Sequence, residues 1–280
     1  MELPVLQPDT TSEWVASKLQ CGLGNRLFQL SVAHTISEQW KKPLAFAMPY
    51  ICPSEHGSFD TIFKLFPTIP KIWKAQPELA IEQEKVFEYS PLPAAPPANR
   101  ILLKGFWQAA AYTSESFRPS WDAIDGTTAL LERWKLSSNL QQRNTAFLHV
   151  RLGDFKVLPH HQVNLLSYFA KAMDSFSADT RFLVFSDSIQ EARSLPILHD
   201  HDRCVFVDEN DDYTSWVRMS KCQAGAIIAN STFSRWGAFF GRQAATEKDL
   251  YRACMPARWM ANCSETTEAI YPHWAAVLDV

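Results

Sequence analysis

The chain has 280 residues, 46% of them hydrophobic and 20% charged, with a formal net charge of −3. That is enough apolar material for a sizeable core, or for two modest domains. The near-balance of charge excludes a nucleic-acid partner held by a bulk positive field, so any anionic ligand must be met by local groups. No stretch approaches the roughly 18–20 continuous apolar residues of a membrane span, and Met1–Asp9 has neither the basic nor the apolar segment of a signal peptide. The expectation is a cytoplasmic chain with no span and no nucleic-acid partner.

Taken in order, Trp14-Val-Ala-Ser-Lys-Leu19 reads as a first strand, Cys21-Gly-Leu-Gly-Asn25 as a turn, and Arg26–Trp40 as a helix with apolar residues at helical spacing. Leu44–Met48 is a candidate second strand. Residues 49–99 are rich in proline and predict short elements and loops. Ile101–Trp107 reads as a strand ending in aromatic groups, and Leu130–Leu140 as a helix. From Asn144 the pattern is more regular. Strand-like runs at Phe147–Val150, Phe182–Phe185, Val205–Val207 and Ala226–Ala229 alternate with helical patterns at Leu165–Phe176, Ile189–Leu195 and Tyr213–Cys222. Such alternation predicts a parallel, doubly wound sheet. The last stretch, Glu265–Val280, is expected to be partly helical. The expected division is an α/β domain over 1–142, a second α/β domain over 143–262 and a helical segment over 263–280, with a ligand cleft between the two α/β halves.

The candidate chemistry centres on Thr145-Ala-Phe-Leu-His-Val-Arg-Leu-Gly-Asp154, an apolar run that ends abruptly in His149, Arg151, Gly153 and Asp154. Ligands of open α/β sheets bind at such strand ends. A guanidinium there can grip phosphate oxygens with two donors, and Gly153 is expected to let a ligand come close. Asp154 can hold the arginine, cap a helix or meet the ligand. Gly22-Leu-Gly24-Asn25 offers a tight turn and a helix N-terminus to an anion, although it lacks the third glycine or the lysine of a nucleotide-binding loop. Asn230-Ser231-Thr232 sets two hydroxyls at a helix start, suited to phosphate or to simple capping. It also matches the glycosylation pattern, as does Asn262-Cys-Ser264, but the place of Asn230 between strand and helix argues against that use.

Other clusters are weaker. Asp200-His-Asp202 has the acidic spacing of some metal–nucleotide sites, but it lies in a polar run before a strand. His160-His161 follows Pro159 in a predicted loop and reads as surface or cap. The six cysteines, Cys21, Cys52, Cys204, Cys222, Cys254 and Cys263, form no C-x-x-C pair and are expected to be reduced thiols rather than zinc ligands. No metal site is expected.

The ordered set Gly22-Leu-Gly-Asn-Arg-Leu-Phe-Gln29, Gly105-Phe-Trp-Gln108, His149-Val-Arg-Leu-Gly-Asp154, Phe185-Ser-Asp187, Met219-Ser-Lys-Cys222, Ala229-Asn-Ser-Thr-Phe-Ser-Arg-Trp-Gly-Ala238 and Pro256-Ala-Arg-Trp259 resembles the α-1,2-fucosyltransferases of glycosyltransferase family 11. The resemblance runs over roughly residues 15–275. It implies a GT-B-like fold of two Rossmann-like α/β domains facing a central cleft. It implies GDP-fucose as donor, no cofactor or metal, and inverting transfer of L-fucose to a glycan hydroxyl, with galactose O-2 foremost. The chain departs from the family pattern at Leu152, where a second arginine is usual, and at Arg235, which stands beside Trp236 where two tryptophans are usual. A fucosyltransferase of another linkage or with a protein acceptor, and an inactive nucleotide-sugar or glycan-binding module, are the alternatives.

On that resemblance Arg151 is expected on the β-phosphate. Ser231, Thr232 and Phe233 hold the phosphates from their helix start, Gly24 and Asn25 meet the diphosphate from the other half, and Asp187 holds the guanosine. Asp154 and His149 are the candidates for the hydroxyl's proton. Phe106, Trp107 and Gln108 line the acceptor site, or else form a buried aromatic pair.

Overall fold

A computed structural model describes residues 12–53, 60–83, 85–120, 143–199, 201–208, 211–261 and 267–280. The expected helix at Leu130–Leu140, Met1–Asp9, Asp200 and Asn262-Cys263-Ser264 lie outside the described residues. The chain separates into two compact units, Met1–Trp121 with Glu268–Pro272, and Asp122–Thr267 with His273–Val280.

In the first unit β1 (Trp14–Ser17) leads into α1 (Leu23–Trp40). There follow β2 (Phe46–Ala47), α2 (Thr61–Leu65), β3 (Lys71–Ile72), β4 (Leu79–Glu82) and β5 (Arg100–Lys104). A three-stranded parallel sheet has the order β1-β5-β4, and β2 pairs with β3 in parallel. The expected strand at Leu44–Met48 is reduced to a bridge between Val15 and Leu44 and the two residues of β2. Helix α1 is buried on most of its surface, from Leu23 to Trp40.

The second unit carries β6 (Thr145–Val150), α3 (Leu166–Asp174), β7 (Arg181–Ser186), α4 (Ile189–Arg193) and β8 (Cys204–Phe206). It continues through α5 (Asp212–Ser220), β9 (Gly225–Ile227), α6 (Thr232–Ala244), β10 (Arg252–Pro256) and β11 (Ala275–Leu278). The six strands are all parallel, in the order β11-β10-β9-β6-β7-β8. Every residue of β6 is buried, as the near-continuous apolar run of a strand covered on both faces requires. Ala146, Leu148 and Val150 join a core with Tyr168, Phe169 and Met173 of α3. Phe147 meets Phe185 edge-on, and His149 faces Phe233 of α6, so α6 covers the opposite face. The Tyr168 hydroxyl reaches the carbonyls of Ile228 (2.9 Å) and Cys254 (2.7 Å), pinning α3 to β9 and β10.

One expectation is overturned at the C-terminus. The stretch expected to be helical forms a 3-10 turn at Glu268–Ile270 and then β11, which pairs with β10 from Ala253–Ala275 to Pro256–Leu278. Alanine-rich residues favour helix when isolated, but here the open edge of β10 offers a backbone ladder that decides the outcome. The described cysteines are free thiols; Cys222 and Cys254 are buried, and burial pushes both thiols up. No helix among the described residues is long and apolar enough to cross a membrane.

Candidate functional site

Strand order places the site. From β6 the chain moves outward to β7 and β8, then returns to lay β9 on the other side of β6. Adjacent strands leave in opposite directions at that point, which opens a crevice at their C-terminal ends. Leu148 pairs with Ile227, so three residues on, Arg151 and Asn230 leave the sheet side by side. On the other flank Val150 pairs with Ser186, which sets Arg151 beside Asp187.

Arg151 is held by two carboxylates. Its Nε and Nη2 donate to Asp154 Oδ1 at 3.0 and 2.7 Å, and its Nε lies 3.1 Å from Asp187 Oδ2. Asp187 Oδ1 accepts from the Leu152 N–H at 2.9 Å. Both oxygens of Asp187 thus face the Arg151–Leu152 turn. Gly153 stands against the same carboxylate. A Cβ there would overlap Asp187 Oδ2, so the missing side chain admits the carboxylate. Asp154 lies in the 3-10 turn Asp154–Lys156 that follows directly.

His149, one position before the strand ends, is buried, and its Nδ1 has no partner among the described residues. Burial, reinforced by the Arg151 charge and only partly offset by Asp187, brings its pKa down to about 4. The ring is therefore neutral near pH 7 and a weak proton acceptor.

Helix α6 begins at the other lip of the crevice. Its 13 residues start after Ser231, whose side chain caps nothing, and its first turn holds no acidic residue. The first N–H groups of a helix lack internal acceptors and carry its positive dipole end. Thr232 and Phe233 stand at that end, and the Phe233 ring sits 5.7 Å from that of His149. Asn230 serves the scaffold. Its buried amide donates to the carbonyls of His161 (3.2 Å) and Trp259 (3.0 Å), which leaves it unsuited to glycosylation. Arg235 is buried one turn into α6, against the rings of Trp236 and Phe239, and burial lowers its pKa to about 9.

The sequence reading missed His161 and Phe155. Their rings stack at 4.3 Å and 7°, and the Arg151 guanidinium lies 5.5 Å from the Phe155 ring. Both line a cavity of about 380 Å³ with Leu152, Leu165, Phe169 and Leu195. Nothing in the local pattern signals this stack; the Pro159-His160-His161 run shows only a turn. Leu152, in the place of a second arginine, supplies apolar wall. Among the described residues no group of three or more His, Cys, Asp and Glu is arranged to hold a metal ion.

Gly24 and Asn25 belong to the first unit. The turn there is not made by its glycines: the left-handed residue is Cys21 (φ 64°), while Gly24 lies inside the first turn of α1. The buried Arg26 donates to the carbonyls of Cys21 (3.0 Å) and Cys52 (2.7 Å), which fixes the turn, and Asn25 Oδ1 accepts from Gln108 Nε2 at 2.7 Å. Trp107 is buried edge-on against Tyr112 at 5.2 Å, so of the two readings offered for this ring the packing one holds.

Residues 96–275 match the family model described as glycosyl transferase family 11. The chain belongs to glycosyl transferase family 11. It is 32% identical over 130 residues to the O-antigen biosynthesis glycosyltransferase WbnK of Escherichia coli, a match covering 43% of this chain and 41% of WbnK. It is 26% identical over 254 residues to an alpha-1,2-colitosyltransferase of Escherichia coli, covering 80% of this chain and 87% of that protein. The fold is similar to that of the fucosyltransferase NodZ from Bradyrhizobium, with a TM-score of 0.52, 14% identity, and coverage of 84% of this chain and 94% of NodZ. NodZ alpha-1,6-fucosyltransferase structures obtained with GDP and with GDP-fucose give the same likeness. The two-unit α/β architecture of this family 11 chain is thus the GT-B-like one.

Proposed function

We propose that this glycosyltransferase moves L-fucose from GDP-fucose to a glycan hydroxyl with inversion, and that galactose O-2 is the acceptor position. The observation that carries the reading is Arg151 beside the N-terminus of α6, at the point where β6 and β9 part. Arg151 Nη1 has no partner among the described residues, and the first turn of α6 carries no acid. Departure of GDP puts charge on the β-phosphate. A fixed guanidinium and helix-end N–H groups stabilise that charge without a metal, each such donor being worth about 3–4 kcal/mol in a preorganised site. Arg151 takes the β-phosphate in this reading, with Ser231, Thr232 and Phe233 on the phosphate oxygens. The similar NodZ structures were obtained with GDP and with GDP-fucose, and the colitosyltransferase relative is named for an α-1,2 linkage, which supports this reading.

The test is incubation with GDP-fucose and a panel of β-galactosides, with GDP release and product linkage by NMR as readouts. An α-1,2-fucosylated product formed equally well in EDTA supports the reading. Absence of turnover across the panel, with no GDP-fucose binding by calorimetry, would sink it. Binding without turnover would instead favour the inactive module, and an α-1,6 or protein-linked product the other linkage. The colitosyltransferase match supports a second reading, in which colitose replaces fucose on the donor. A direct comparison of the two donors separates them.

A further inference from the structure

We propose that the paired side-chain amides of Asn25 and Gln108 recognise two neighbouring hydroxyls of the acceptor sugar, one amide donating and the other accepting. This rests on the reading of the chain as a transferase with a glycan acceptor. It gives Asn25 a sugar hydroxyl in place of the diphosphate.

The first unit has a crevice of its own. β1 pairs with β5 on one side, and on the other it is bridged in parallel to Leu44, where the chain enters β2. On leaving β1 the chain moves through α1 to the β2 side and so turns away from β5. Strands that part in this way open a ligand crevice at their C-terminal ends. Both amides stand there: Asn25 in the first turn of α1, and Gln108 shortly after the end of β5.

The pair is held before any ligand arrives. Asn25 Oδ1 accepts from Gln108 Nε2 at 2.7 Å, and Gln108 is only 6% exposed. The Gln108 backbone N–H donates to the Val86 carbonyl at 3.1 Å. The residue before it, Trp107, is left-handed at φ 56°, an uncommon state for a bulky side chain. Its N–H donates to Gln83 Oε1 at 2.5 Å, and its ring packs edge-on against Tyr112. These contacts fix the backbone that delivers Gln108 to Asn25.

The bond between the amides decides what they can offer. Each amide has two N–H donors and one carbonyl oxygen. With Asn25 Oδ1 taken by Gln108, what is left is Asn25 Nδ2 as donor and Gln108 Oε1 as acceptor. Neither has a partner among the described residues, and neither is among the enclosed polar atoms. Turning both amides over exchanges the two roles and leaves the same complement. A phosphate oxygen only accepts, so the free carbonyl repels it. A hydroxyl both donates and accepts, and two of them on adjacent ring carbons match the pair. Arg26, in the same turn, directs its guanidinium at the carbonyls of Cys21 and Cys52.

Steady-state transfer from GDP-fucose to methyl β-galactoside and to its 3-deoxy and 4-deoxy analogues tests the pair, in the wild type, Gln108→Met and Asn25→Ala, with calorimetry of GDP alongside. In the wild type, loss of either hydroxyl is expected to lower kcat/KM by about 5- to 100-fold, because an amide group of the site is left unpaired. Q108M, which keeps the length of the side chain, and N25A are expected to lose a similar factor on the full acceptor. In each variant at least one deoxy penalty should vanish, the mark of a direct contact that a merely structural role would not leave. GDP affinity should stay close to that of the wild type. If neither analogue is penalised in the wild type, or the penalties persist unchanged in both variants, the pair does not read the acceptor. If the variants lose GDP affinity as they lose turnover, the pair serves the diphosphate and the proposal is wrong. A raised KM for GDP-fucose with an unchanged acceptor KM would put the hydroxyls on the donor sugar and overturn it too. If the wild type transfers nothing to the galactoside itself, the functional reading fails first and takes the proposal with it.

Discussion

Gly153 and Asp187 share one volume: the carboxylate of Asp187 fills the space that a side chain on residue 153 would take. Two residues 34 positions apart in sequence thus fit as one part, because β6 and β7 are neighbours in register. Gly153→Ala is expected to push Asp187 off Arg151 Nε and the Leu152 N–H. A misplacement of about 1 Å at a reacting centre costs on the order of 10²-fold in rate. The expected outcome is a kcat/KM loss of about that size with an unchanged far-UV spectrum; wild-type turnover in G153A would show that the close fit has no bearing on the site.

Arg151→Ala is expected to lower kcat/KM by about 10²–10³-fold, the cost of one preorganised charge partner, and to weaken GDP binding by calorimetry. Arg151→Lys should recover little, because an ammonium cannot reach Asp154, Asp187 and a phosphate in one plane. Full activity in R151K would show that charge alone suffices.

His149 gives the protein a pH-dependent stability whose sign follows from its shift. In the unfolded chain its pKa is near the ordinary histidine value of 6.5, and in the folded one it is about 4. Between those values the unfolded chain binds more protons, so acid favours unfolding. The contribution is complete above pH 6.5, is lost as pH falls through the window, and stops changing below about pH 4. At about 1.4 kcal/mol per unit it amounts to something on the order of 3 kcal/mol. His34 and His161 are shifted downward by burial as well, so they add to the same slope. Chemical denaturation at pH 7 and pH 4.5 is expected to show a smaller pH difference for His149→Phe than for the wild type. An equal difference in both proteins would place the slope elsewhere.

Asn230→Ala is expected to leave the carbonyls of His161 and Trp259 without their donor. Losing a buried hydrogen-bond partner costs about 1–3 kcal/mol for each group left unsatisfied. The fall in the denaturation midpoint should exceed that of an exposed control such as Asn164→Ala. Because the tie steadies the loop that carries His161, turnover should fall as well. A midpoint within error of the wild type would show that water replaces the amide.

The second unit was largely legible in the sequence. The run Thr145–Val150 has the composition of a strand buried on both faces, and its abrupt polar end located Arg151 and Asp154. The helices between the strands show their apolar spacing, and their observed bounds lie within a few residues of the expected ones. What the chain order hid was pairing. That Asp187 ends a strand is readable; that it spends its carboxylate on residues 151–153 follows from β7 lying beside β6. Asn230 looked like a cap, and its two carbonyl partners lie 69 and 29 residues away. Cys21 carries the left-handed turn that Gly22 and Gly24 advertised, because the clamp by Arg26 outweighs local preference. Strand β11 was read as helix, because four short residues show no period and only the edge of β10 defines them.

That last strand bears on how this protein can be dissected. Glu268–Pro272 counts with the first unit and His273–Val280 with the second, so the final residues are shared out between the two bodies and are no appendage. A fragment cut before Glu268 takes a 3-10 turn from one unit and uncovers the backbone edge of β10 in the other. Exposed parallel edges seek partners, so aggregation of such a fragment would report the missing strand and say nothing about donor binding. Chimeras that exchange acceptor preference between relatives must therefore carry the tail in two pieces, each matched to the body it completes.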